Sequence, residues 1–89
     1  MTRCEVEICN RLGLHARAAA RFVHEASRFS SKVEVSRDGR TMDGKSILGI
    51  LLLAGSRGTL LEISAEGEDE EAAVDALSAL VKNRFGEEA

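Results

Sequence analysis

Three short stretches that alternate apolar and polar residues, with a further one that returns from a hairpin, constrain this chain most. They are Cys4-Glu5-Val6-Glu7-Ile8, Lys32-Val33-Glu34-Val35-Ser36, Arg40-Thr41-Met42-Asp43 and Leu60-Leu61-Glu62-Ile63-Ser64-Ala65. A period of two sends apolar side chains to one face and polar ones to the other, which is the pattern of a half-buried strand. Val6 and Ile8 point inward in the first stretch, and Leu61, Ile63 and Ala65 in the last. Strands that all keep one wet face assemble into an antiparallel sheet covered on one side only. Asp38-Gly39, between the second and third stretches, is a two-residue hairpin signal.

Helical periodicity fills three of the remaining intervals. From Ala16 to about Ser27, the residues Ala16, Ala19, Ala20, Val23 and Ala26 mark an inward face. Arg17, Arg21, His24 and Arg28 form a polar stripe on another face. Ser46 is an N-cap candidate for Ile47 to Leu53, a short helix that is nearly all apolar. A domain of 89 residues cannot bury every side of such a segment. Some of Ile47, Leu48 and Leu51 are therefore expected to face water as a docking patch. Asp69 is positioned to cap a last helix, with Glu70 and Glu71 in its first turn, Lys82 and Arg84 in its last, and Gly86 as its stop. Ala73, Val74, Leu77, Leu80 and Val81 form its core face. The expected fold is α+β: an open-faced β-sandwich in the order βαββαβα, a four-stranded antiparallel sheet with three helices on one face. Residues 1–89 make one domain.

Composition excludes several functions. The chain has three Phe and no Trp, Tyr or Pro, so it has little with which to stack nucleobases, and no nucleic-acid role is expected. No apolar run approaches the roughly 20 residues that span a bilayer, and Met1-Thr2-Arg3-Cys4-Glu5 lacks the apolar core of a signal peptide. The expectation is a cytoplasmic protein without membrane insertion. Cys4 and Cys9 fall on opposite faces of the first strand, too far apart for a disulfide and wrongly spaced for a chelate. They read as free, mostly buried thiols in a reducing compartment. His15 and His24 lie on opposite sides of the first helix, so no metal site is expected there, and no cofactor is implied; His24 reads as an exposed surface residue. Residues 1–65 carry ten Lys/Arg against seven Asp/Glu, whereas residues 66–89 carry two against eight. A basic front of this kind would attract acidic partner surfaces.

The chemistry concentrates in Leu12-Gly13-Leu14-His15-Ala16-Arg17-Ala18-Ala19-Ala20. A glycine turn there brings His15 to the mouth of a helix, with Arg17 just inside. The first N–H groups of a helix lack partners within it, and the macrodipole makes that end positive, so an anion is stabilised there. A neutral imidazole in the same place keeps a ring nitrogen free as a nucleophile. The guanidinium of Arg17 has a fork that fits phosphate oxygens. Phosphoryl transfer asks for positioning and charge stabilisation above all, and a small domain with one nucleophile can supply both. No second acid or base partner for His15 is evident from the sequence.

Two motifs resemble the signatures of the HPr family, the histidine-containing phosphocarriers of the bacterial phosphotransferase system. Gly13-Leu14-His15-Ala16-Arg17-Ala18-Ala19 is similar to the family's active-site motif. Gly39-Arg40-Thr41-Met42-Asp43-Gly44-Lys45-Ser46-Ile47-Leu48-Gly49-Ile50 is similar to its regulatory-serine motif. The resemblance covers essentially the whole chain, and the two motifs together are strongly specific. It implies that His15 accepts a phosphoryl group through Nδ1 from Enzyme I and passes it to an EIIA protein or domain. Arg17 and the backbone N–H groups of Ala16 and Arg17 would hold the phosphate. Ser46 would be the site of an HPr kinase/phosphorylase in bacteria that have one. Docking would use Arg17, Ala20, Arg21, His24, Lys45, Ile47, Leu48 and Leu51. The carrier would be stoichiometric rather than an enzyme, and monomeric.

The chain also departs from the family pattern. Ala18 stands where many members have proline, and leucines replace the methionines common in the second helix. The patch stays apolar but is less adaptable, which bears on partner choice more than on chemistry. Asn10-Arg11-Leu12-Gly13-Leu14-His15 and the ending Leu80-Val81-Lys82-Asn83-Arg84-Phe85-Gly86-Glu87-Glu88 look closer to the nitrogen-branch relative NPr, whose output is regulatory. A regulatory module controlled only through Ser46 is the other alternative. Such relatives lose the histidine, so His15 beside Arg17 speaks against it. A small ligand- or metal-binding domain would need paired ligands or a glycine-rich phosphate loop, and neither is present.

Overall fold

The computed structural model describes residues 1–89. Its strands are β1 (Thr2–Glu7), β2 (Lys32–Arg37), β3 (Arg40–Asp43) and β4 (Leu60–Glu66), and its helices are α1 (Ala16–Ala26), α2 (Ile47–Leu52) and α3 (Glu70–Lys82). A single 3-10 turn, Arg84–Gly86, follows α3. The four strands form one sheet in the order β1-β4-β2-β3, and every neighbouring pair is antiparallel. β1 and β2 are therefore parallel to each other with β4 between them, and β3 and β4 are parallel with β2 between. Each of these pairs is joined by a helical crossover, through α1 and α2 respectively. The two crossovers run in opposite directions across the sheet between strands that also point oppositely. Right-handed connections, the hand that strand twist favours, then put both helices on the same face. α3 packs on that face too, against β1 and β4. The expected α+β open-faced sandwich is the fold observed.

Strand periodicity sets the core. Val6, Val33, Val35, Leu61, Ile63 and Ala65 are buried beneath the helices, while Glu5, Glu7, Glu62 and Glu66 face solvent. Register aligns Val6 with Leu61 and Val35 with Ile63, so the inward sets stack across strands. Asp38 and Gly39 both take positive φ (48° and 81°), the turn geometry that matches strand twist in a two-residue hairpin.

The buried face of α1 is rotated from the one expected. Ala18, Ala19, Phe22 and Ala26 are buried, Val23 is half-buried, and Ala16 and Ala20 are exposed. Phe22 decides the rotation. Burying an aromatic ring is worth about 2–3 kcal/mol, several times what an alanine methyl contributes. The stripe of Arg17, Arg21, His24 and Arg28 is exposed as expected.

Further expectations are corrected. Asp69 precedes α3 but makes no capping bond with its side chain. Its carboxylate instead accepts from the N–H groups of Ser30 and Ser31, at 2.9 Å each, and from the Ser31 hydroxyl. The same ionised acceptor serves better where it satisfies three donors of a neighbouring loop. The α3 helix stops at Lys82, so Arg84 and Gly86 belong to the 3-10 turn beyond it, and α2 stops at Leu52 rather than Leu53. Leu80 is half-buried and packs against the core cluster. The two cysteines are free, as expected, but both are half-buried, and Cys9 lies past the end of β1.

Candidate functional site

A tight loop between β1 and α1 sets the position of His15. Gly13 takes φ +67°, and a Cβ there would lie 2.4 Å from the Gly55 carbonyl oxygen, so the loop needs glycine on both counts. The Leu14 N–H donates to that same carbonyl at 2.8 Å, and the His15 N–H donates to Gly13 O at 2.9 Å. Asn10, fully buried, spans the loop by donating from Nδ2 to Gly13 O at 2.8 Å. The chain leaves this loop with His15 in an extended conformation at the N-cap of α1.

The ring is held at both nitrogens. Nδ1 accepts from the Arg17 backbone N–H at 3.3 Å. Since an N–H must donate, Nδ1 carries the lone pair, and in the neutral ring the proton lies on Nε2. Nε2 faces the Glu87 carboxylate at 2.5 Å. The first intrahelical bond runs from the Ala19 N–H to His15 O. The Ala16 and Ala18 N–H groups therefore belong to the unpaired first turn. Arg17 is exposed and lines a shallow cleft of about 380 Å³ with Arg11, Arg21, Glu87 and Glu88. The His15 side chain retains 26% of its exposure, enough for an approaching group to reach it. A lone pair beside the unpaired N–H donors of a helix mouth, two positions from an exposed arginine, suits attack on an electrophile that carries negative charge.

Glu87 is the partner that sequence reasoning missed. It lies 72 positions from His15, beyond the last patterned residue, so no local spacing announces it. Asn10 to Gly13 reads in the sequence as the loop that delivers His15, but nothing there assigns the Asn10 side chain its hold on Glu87. The Asn10 amide, ahead of the His15 contact, holds the Glu87 carboxyl below the usual glutamate range.

The remaining candidates divide between two surfaces. Arg17, Ala20, Arg21 and His24 line one groove of α1, closed on its far side by Leu80 of α3. Arg21 is not free in that groove, because its guanidinium donates to the Phe85 carbonyl. Ser46 caps α2 as expected, its hydroxyl accepting from the Gly49 N–H at 3.0 Å. Lys45 donates to Phe29 O at 2.7 Å, which puts the Ser46 end of α2 beside the C-terminal end of α1, away from His15. On α2, Ile47 and Leu48 are 45% and 67% exposed, so the expected apolar patch exists. Leu51 is only half-exposed and packs on the core, whereas Leu52, unremarked in the sequence, is 51% exposed. In so short a helix the core takes the side opposite Leu48 through Ile50 and Leu53. No group of three or more His, Cys, Asp or Glu is arranged to hold a metal ion, and no helix is long and apolar enough to cross a membrane.

Comparison with known proteins gives one answer. Residues 2–83 match the family model described as the PTS HPr component phosphorylation site. The chain is 47% identical over 87 residues to the phosphocarrier protein HPr of Cupriavidus necator, covering 98% of each chain. It is 47% identical over 88 residues to that of Xylella fastidiosa, covering 99% of each. Its backbone superposes on an HPr crystal structure from Thermoanaerobacter tengcongensis with a TM-score of 0.96, at 48% identity and full coverage of both chains. A match across nearly the whole length, with the same order of elements, places this chain in the HPr family of phosphocarrier proteins of the phosphotransferase system.

Proposed function

We propose that His15 is the phosphoryl acceptor of this phosphocarrier and that the group is carried on Nδ1. The observation that supports this most is the division of the ring. Nε2 is closed off by Glu87, and Nδ1 alone presents a lone pair toward the helix mouth. On phosphorylation the Arg17 N–H would pass from Nδ1 to a phosphoryl oxygen. The Ala16 N–H and the Arg17 guanidinium would take the others. The donor is the phosphorylated histidine of Enzyme I, and the acceptor is a histidine of an EIIA protein or domain. The chain acts stoichiometrically in the cytoplasm and turns over no substrate of its own. Incubation with phosphoenolpyruvate and Enzyme I should give one acid-labile, alkali-stable phosphate that His15→Ala lacks. Equal labelling of His15→Ala would refute the assignment.

Docking is assigned to Ile47, Leu48 and Leu52 on α2 together with the exposed arginine stripe of α1, a basic and apolar surface suited to an acidic partner. Lys45 and Ser46 border it. Phosphate on Ser46 would lie at the start of α2 and add about two negative charges to that surface. Slower transfer from Enzyme I to Ser46→Asp is the expected mark of such regulation. Comparing sugar-transport EIIA with regulatory EIIA as acceptors distinguishes the sugar branch from the nitrogen branch.

A further inference from the structure

The C-terminal residues fold back onto His15. Arg84, Phe85 and Gly86 take left-handed backbone in succession, with φ of 57°, 54° and 81°. For the two non-glycine residues that conformation is unfavourable, because Cβ crowds the following carbonyl oxygen. Phe85 offsets this by burying its ring completely, and its carbonyl accepts from Arg21. The turn is thus anchored in the core, and the residue it delivers to the imidazole is Glu87.

Both carboxylate oxygens of Glu87 are engaged. Oε1 accepts from Asn10 Nδ2 at 2.9 Å, and Oε2 faces His15 Nε2 at 2.5 Å. Asn10 gives its other amide hydrogen to Gly13 O and leaves its own Oδ1 buried with no partner. An orphaned buried acceptor is destabilising, because the hydrogen bonds it made to water are not replaced. Turning the amide over gives no relief, because Oδ1 would then face the Gly13 carbonyl and the Glu87 carboxylate, both acceptors. The amide is therefore aimed at Glu87 at the expense of its own hydrogen bonding. That is the mark of a group retained for what it holds in place.

We infer that Glu87, set by Asn10, is a positioning residue for phosphoryl transfer: its carboxylate keeps the His15 proton on Nε2 and balances the positive charge that the ring acquires. This rests on His15 being the phosphoryl acceptor. As the Nδ1 lone pair forms its bond to phosphorus, the P–N bond of the donor's phosphohistidine breaks and the donor imidazole leaves with that electron pair. The His15 ring, protonated at Nε2 throughout, becomes a phosphoimidazolium whose cation faces Glu87. In the onward step a nitrogen of the acceptor attacks phosphorus, Nδ1 takes back the pair, and the ring leaves as the neutral Nε2–H form. Arg17 and the helix N–H groups act on phosphoryl oxygens, whereas Glu87 acts across the ring from them.

The test compares wild type with Glu87→Gln, Glu87→Ala and Asn10→Ala by two readouts. Single-turnover transfer from phosphorylated Enzyme I, and back to it, should fall about ten- to hundredfold in each variant, the range typical when the partner of a working histidine's other nitrogen is removed. In the unphosphorylated protein, proton NMR should show a downfield Nε2–H resonance protected from exchange. That resonance should be lost in Glu87→Ala and shifted upfield in Glu87→Gln. The losses in Asn10→Ala and Glu87→Ala should combine to less than their product in the double variant, because Asn10 acts in part through the carboxylate. Circular dichroism checks that each variant is folded, and the two Glu87 variants suffice should Asn10→Ala unfold. Wild-type rates in a folded Glu87→Ala, or an Nε2–H signal indifferent to that change, would overturn the inference. A wild-type protein that takes no phosphate from Enzyme I would overturn the acceptor reading instead.

Discussion

At the scale of single residues, backbone conformation dictates two opposite substitutions. Gly13 combines positive φ with a Gly55 carbonyl where a Cβ would stand. Gly13→Ala should therefore destabilise by about 2 kcal/mol or more, seen as a fall in Tm of about 8–16 °C. It should also slow phosphoryl transfer, because this loop sets the imidazole. Ala54 follows α2 with φ 52°, the left-handed position that commonly belongs to glycine at a helix C-terminus. Ala54→Gly should stabilise by about 0.5–1 kcal/mol, raising Tm by a few degrees. Arg17 is exposed and lines the cleft that Glu87, the partner of His15, also lines. Arg17→Ala should slow transfer while leaving Tm within a few degrees of wild type; unchanged kinetics would remove it from the site.

At the scale of elements, α2 shows how a short apolar helix satisfies the core and still leaves an apolar surface exposed. Ile50 and Leu53 are buried to within 1%, which meets the needs of the core, and Ile47, Leu48 and Leu52 remain exposed. Leu48→Glu should change stability by no more than about 0.5 kcal/mol and yet slow transfer to and from protein partners. Denaturant unfolding measures the first, and transfer kinetics at low partner concentration the second. The same element shows how far sequence could go. Its composition announced an exposed patch, but six residues turn too few times for periodicity to separate Leu51 from Leu52. In α1 the apolar pattern was dominated by alanines, whose positions say little. One phenylalanine decided which way the helix faced.

At the scale of the whole molecule, two carboxylates join distant segments. Asp69 binds the loop after α1, and the Ser31 hydroxyl, then the Ser30 N–H, hold its carboxyl down from 3.8 to about 2. Glu70 accepts from Thr2 at 2.6 Å and pairs with the N-terminal ammonium at 3.1 Å. The Thr2 hydroxyl, followed by the Gly67 N–H, holds it down from 4.5 to about 2. A folded-state value below the unfolded one means that folding is favoured by the ionised form. The contribution is complete above about pH 5 and is lost as pH falls toward and through about 2. Thermal melts between pH 5 and 2 should therefore show a steep loss of Tm. Asp69→Asn and Glu70→Gln should each start lower at pH 7 and lose less on acidification; parallel curves would show that these ties contribute nothing.

The sequence by itself determined the sheet, the three helices on its one covered face, and the meeting of His15 with Arg17. All of these follow from local periodicity, turn chemistry and neighbours a few positions apart. Tertiary structure alone decided which face of α1 is buried, that Asp69 ties down a loop instead of capping its own helix, and that Glu87 closes the site from the far end of the chain. Those outcomes depend on which groups meet across dozens of residues. Burial of Phe22 and Phe85, and the satisfaction of buried donors, choose among arrangements that local pattern leaves equal.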